Sequence, residues 1–75
     1  MSSVQIRLGR AVRRLRLAHG SSQEKFALDA NINRSYMGQI ERGEVNISLT
    51  NLERLAEGLG MTMGELMTEV DREKQ

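Results

Sequence analysis

Between residues 34 and 42 the chain reads Arg-Ser-Tyr-Met-Gly-Gln-Ile-Glu-Arg, with its hydrogen-bonding side chains at helical spacing. At about 100° per residue, Arg34, Ser35, Gly38, Gln39 and Arg42 fall within one arc of about 140°, and Tyr36, Met37 and Ile40 fall opposite. Arginine can bond guanine O6 and N7 bidentately, glutamine can bond adenine N6 and N7, and serine can serve several bases. Such a face can read base edges in a DNA major groove, each good bidentate pair giving about 1–3 kcal/mol of discrimination. The competing reading is a plain solvated face, which most short helices have.

Other chemistries find few residues here. There is no cysteine, so thiolate metal sites and disulfides are excluded. His19 is the single histidine and is expected to be structural or exposed. Gly58, Gly60 and Gly64 in GLGMTMG do not make G-x-G-x-x-G and read as helix ends. No metal-ligand cluster and no catalytic pair is visible, so the expectations are no enzyme, no metal and no cofactor. No apolar run approaches the roughly 18 residues of a membrane span, and no targeting segment is evident. A cytoplasmic protein without membrane contact is expected.

The formal net charge of +1 conceals an uneven distribution. Residues 1–20 carry five arginines (Arg7, Arg10, Arg13, Arg14, Arg16) and no acid, whereas residues 44–75 carry three bases against seven acids. A basic first half suits a polyanion. A solvated arginine face on an ordinary helix gives the same pattern.

These side chains need helices to hold them. Seventy-five residues predict a single domain over 1–75, and the absence of proline with only two aromatics favours an all-α fold. The periodicity predicts helices at about 4–19, 23–30, 34–42, 49–58 and 63–70. Leu8, Val12 and Leu15 make the inward stripe of the first, and Phe26, Ala27 and Ala30 that of the second. The fourth bears Leu49, Leu52, Leu55, Ala56 and Leu59. Ser2 or Ser3, Ser21 or Ser22, Asn33, Ser48 and Thr62 are candidate N-caps; Ser21 with Glu24, and Thr62 with Glu65, have capping-box spacing. The last residues, DREKQ, are expected to fray. Helices two and three, joined by about three residues, have the helix-turn-helix arrangement.

The segments SSQEKFALDANINRSYMGQIERG and ISLTNLERLAEGL together resemble the Cro/cI-type helix-turn-helix family, also called the Xre family. The matching features are Gln23-Glu24 and Ala27, Ser35-Tyr36, Ile40-Glu41-Arg42-Gly43 and the Leu-x-x-Leu-Ala pattern of the fourth helix. Asn-Arg-Ser-Tyr, Ile-Glu-Arg and Asn-Ile-Ser are most similar to the restriction–modification controller proteins. The resemblance implies a compact five-helix, lambda-repressor-like DNA-binding domain. It implies that Arg34, Ser35 and Gln39 face bases, that Tyr36 flanks them, and that Gln23, Arg42, Asn46 and Asn51 meet phosphates. Tyr36 as a partly buried packing residue, and Asn51 as a plain surface residue, remain open. Arg16 and Glu41 match a partly buried ion pair of the family. Two departures stand out: Ser21, where an apolar residue is common, implies a looser first corner, and Glu44, in a loop that is often basic, implies weaker non-specific binding.

Met61, Met63, Leu66, Met67 and Val70 exceed what one short helix needs for its core, and the surplus is a candidate homodimer patch. A twofold dimer would hold two recognition helices about 34 Å apart and require a palindromic double-stranded DNA operator. No small-molecule effector is expected of so small a chain. Two other readings stay open: an antitoxin that represses its own operon and binds a toxin, and an interaction module that has lost DNA binding.

Overall fold

A computed structural model describes residues 3–74. Its five helices are α1 (Val4–Ala18), α2 (Gln23–Asp29), α3 (Arg34–Glu41), α4 (Leu49–Gly58) and α5 (Met63–Arg72), and no strand occurs among the described residues. No helix in this set is long and apolar enough to cross a membrane.

Each helix begins where a short polar side chain can accept a backbone N–H that would otherwise lack a partner. Ser3, Ser22, Asn33, Ser48 and Thr62 are the caps, and Thr62 with Glu65 closes a full capping box. Ser22 rather than Ser21 caps α2. Ser2 lies outside the described residues. The corner after α1 is held firmly despite Ser21. The Ser21 carbonyl accepts Arg16 Nη1 at 2.8 Å, and the Ser21 N–H donates to the Arg16 carbonyl at 3.2 Å.

The centre is filled by Val12, Met37, Ile40, Leu55, Leu66 and Val70, all essentially without solvent contact. Burying side chains of this size stabilises by about 1.5–3 kcal/mol each. α1 packs on α3 and α5, α2 on α3, and α4 on α5, so α3 is braced from two sides while its third side stays open.

Two expectations need correction. Leu66 and Val70 are fully buried within the chain and present no surface to a second copy. One turn of α5 points them inward, and the half-buried methionines Met61, Met63 and Met67 remain on its flank. Leu49, the first residue of α4, is 74% exposed, ahead of the residues that pack. Residues 71–74 do not fray as expected: α5 continues to Arg72, and Glu73 and Lys74 are tied to α1, while Gln75 lies outside the described residues.

Candidate nucleic-acid interface

The turn between α2 and α3 fixes where the polar face of α3 points. Asn31 takes a left-handed conformation (φ 57°), which its short polar side chain tolerates better than most. Ile32 is then buried, its N–H donating to the Ala27 carbonyl at 2.8 Å. The Asn33 side-chain oxygen accepts from Ser35 N at 2.8 Å and Tyr36 N at 3.3 Å, which starts α3 at a defined residue. Met37 and Ile40 anchor the helix in the core.

With that anchorage, Arg34, Ser35, Gln39 and Arg42 are exposed on the far side. They line one shallow cleft together with Gln23 and Gly38. Gly38 itself is buried, although the helical wheel puts it on the outer arc. A Cβ there would stand 3.0 Å from Arg42 Nη1 and 3.6 Å from Gln23 Oε1, so two long polar side chains cover it. Tyr36 is half-buried and packs against the core. Asn51 is half-buried on α4, and its side-chain oxygen accepts from Arg54 at 3.4 Å.

Behind the cleft lies a bidentate ion pair. Arg16 Nε donates to Glu41 Oε2 at 2.7 Å and Arg16 Nη2 to Glu41 Oε1 at 3.0 Å, with side chains only 9% and 3% exposed. The hydrogen bond to Glu41 raises the Arg16 guanidinium above its ordinary pKa, against the opposing effect of burial. Glu41 Oε1 also accepts Gln23 Nε2 at 3.2 Å. One carboxylate thus joins the end of α3, the last turn of α1 and the first residue of α2.

On the surface, acids already occupy two of the cleft's cations. Arg34 Nε lies 3.7 Å from Glu24 Oε2. Arg42 donates to both carboxylate oxygens of Glu44, at 2.9 and 3.2 Å. That hydrogen bonding raises the Arg42 guanidinium and holds the Glu44 carboxyl below the usual carboxylate range. Both pairs face water, where ion pairs are weakly held and screened by salt. A polyanion that met these arginines would compete with the acids.

The arginine cluster of α1 is largely committed elsewhere. Arg14 bonds Glu73 at 2.9 Å and Glu69 at 3.1 Å, and Arg10 donates to the Lys74 carbonyl at 3.2 Å. The hydrogen bond to Glu73 is the largest cause of the raised pKa of Arg14. The charge distribution alone suits a polyanion and a solvated arginine face equally, and it is the acids at the end of α5 that engage Arg14.

The remaining nominated residue, Asn46, sits in the loop after α3, where its side-chain oxygen accepts from Gln5 Nε2. Gly43 opens that loop with φ +73°, and a Cβ there would lie 2.8 Å from Ile6 Cα. The loop is therefore pressed onto the first turn of α1. Neither contact is visible in sequence spacing.

A family model described as helix-turn-helix matches residues 12–66. The control protein C.MunI of a Mycoplasma species is 39% identical over 74 residues, covering 97% of this chain and all 100% of the relative. The control protein C.BamHI of Bacillus amyloliquefaciens is 36% identical over 67 residues, covering 88% of this chain and 83% of the relative. Among solved structures, the restriction-modification controller protein C.AhdI of Aeromonas hydrophila is 42% identical with a TM-score of 0.79. That match covers 83% of this chain and 94% of the other.

Proposed function

The chain belongs to the helix-turn-helix family of transcription regulators, closely related to the restriction–modification controller proteins, and on that premise we propose that it binds a palindromic DNA operator as a homodimer and controls restriction–modification genes. The observation that carries this reading is the single exposed face of α3. Arg34, Ser35 and Gln39 share it with Gln23 and Arg42 around one cleft, while the opposite face is locked in the core.

In this reading α3 enters the major groove, and Arg34, Ser35 and Gln39 bond base edges. Tyr36, held by its packing, lies at the flank of the contact. Gln23, Arg42, Asn46 and Asn51 meet phosphates, which set register without reading sequence. The relatives favour a regulator over a toxin-binding antitoxin or a module without DNA binding. A second copy would cover the apolar flank of α4 and α5. Met61 and Met63 line a groove there beside Ala56, and Met67 is half-buried on α5.

The direct test is Arg34→Ala, measured on DNA from beside the gene and on a random duplex at two salt concentrations. The native protein should give a twofold-symmetric footprint that weakens as salt rises. The variant should lose about 1–3 kcal/mol of preference for the specific site while binding the random duplex nearly as before. Equal binding to both duplexes by the native protein would sink the proposal.

Gly38→Ala separates folding from binding. Alanine is favoured over glycine by up to about 1 kcal/mol inside a helix, and the added Cβ meets flexible side chains rather than backbone. The melting temperature should hold or rise. DNA affinity should fall, because Arg42 is pushed aside and the floor of the cleft is raised. A variant that melts higher and binds as tightly as the native chain would show that the cleft plays no part in the contact.

A further inference from the structure

We infer that Gln5, on the first turn of α1, is a positioning residue for DNA binding, acting through Asn46. The inference rests on the reading of Asn46 as a phosphate contact. An asparagine amide has an acceptor end and a donor end, and a phosphate can only accept. Gln5 Nε2 donates to Asn46 Oδ1 and so engages the acceptor end. The donor end, Asn46 Nδ2, is thereby turned away from α1 and presented for a phosphate oxygen. Left to rotate in water, the same amide would offer either end, and the oxygen end would repel a phosphate.

Two further features make this more than a passing surface contact. Gly43 lies against Ile6, one residue from Gln5, so the start of the loop and the first turn of α1 are in register before the side chains meet. Gln5 is half-buried and lines one groove with Val4, Leu8, Val45, Asn46 and Ile47. Asn46 itself is exposed.

The test is a double-mutant cycle with Gln5→Ala, Asn46→Ala and the two combined, in the full chain. The probe is a random-sequence duplex, since phosphate contacts do not depend on sequence. Asn46→Ala should weaken binding by roughly tenfold and Gln5→Ala by about threefold, the scale of one hydrogen bond to a charged group lost or left unoriented. In the Asn46→Ala background, Gln5→Ala should have no further effect. A structural role for Gln5 would not show this dependence, because loosening the loop weakens binding whatever occupies position 46. The salt dependence should keep its slope in every variant, because no cation is removed.

Three results would overturn the inference. If Gln5→Ala weakens binding equally in both backgrounds, Gln5 acts on DNA or on the fold by itself. If the slope falls by about one, Arg42 has been lost with the loop. If Asn46→Ala binds as the native chain does, the phosphate role of Asn46 fails, and Gln5 has nothing to position. This last result is distinct from failure of the wider reading, which the Arg34 footprint judges separately.

Discussion

Glu41→Leu is expected to remove a large part of the chain's stability and to lower its melting temperature sharply. The substitution removes the counter-ion of Arg16, whose side chain is only 9% exposed, and leaves it with one neutral partner, the Ser21 carbonyl. Stranding one member of a buried pair costs about 3–5 kcal/mol. A chain of this length has only about 4–11 kcal/mol of total stability at the usual 0.05–0.15 kcal/mol per residue. At 4–8 °C per kcal/mol for domains of this size, the melting temperature should drop by roughly 15–35 °C. Thermal unfolding followed by circular dichroism measures it. Arg16→Met combined with Glu41→Leu is the control, because replacing both charges by apolar groups of similar volume is often neutral or stabilising. The double variant should recover most of the loss. A single variant that melts within a few degrees of the native chain would mean that the pair does not hold α1 to α3.

That experiment also bears on how the site is built. The sequence order of Arg16, Gln23 and Glu41 says nothing of their meeting, yet one carboxylate joins all three at distances of 2.7 to 3.2 Å. Only the family resemblance paired Arg16 with Glu41, and nothing paired either with Gln23. By contrast, helix starts were legible because capping is local: Ser22, Asn33, Ser48 and Thr62 each act on residues two or three positions away. The outer face of α3 was legible for a similar reason, since a helical wheel needs no tertiary knowledge.

Readings failed where a residue's environment is set by another element. Leu49 is as apolar as Leu55 on the same helix, yet it is 74% exposed while Leu55 is fully buried. Leu66 and Val70 could not be separated from Met61, Met63 and Met67 by hydrophobicity alone, because the split depends on which way α5 turns against α1 and α4. The charge pattern of α1 left a polyanion contact and a solvated face open, and Glu69 and Glu73, more than fifty residues away, decide it for Arg14. The same holds for Gly38, which a wheel exposes and the side chains of Arg42 and Gln23 cover.

Gly9→Ala and Gly64→Ala make the same chemical change in a helix and are expected to have opposite effects. Gly64 sits in the first turn of α5, where an added Cβ would find only Thr62 Oγ1, at 3.9 Å. Relief of the entropic cost of glycine should raise stability there, by at most about 1 kcal/mol. Gly9 is buried on α1, and its Cβ would stand 2.5 Å from the Ile40 carbonyl oxygen and 2.6 Å from that of Glu41. These are backbone atoms at the end of α3, so no rotamer change can make room. α1 and α3 must separate instead, at a cost of about 1–3 kcal/mol or more, which exceeds the gain in helix propensity. The separation acts where Glu41 bonds Arg16 and Gln23, so it also loosens the residues that frame the cleft. Gly9→Ala should therefore melt well below the native chain. At a temperature where it is still folded, it should also bind DNA more weakly, although Gly9 lies outside the cleft. Gly64→Ala should bind as the native chain does. Equal melting temperatures for the two variants would mean that the backbones of α1 and α3 can part at no cost, and that the recognition helix is not held by that contact.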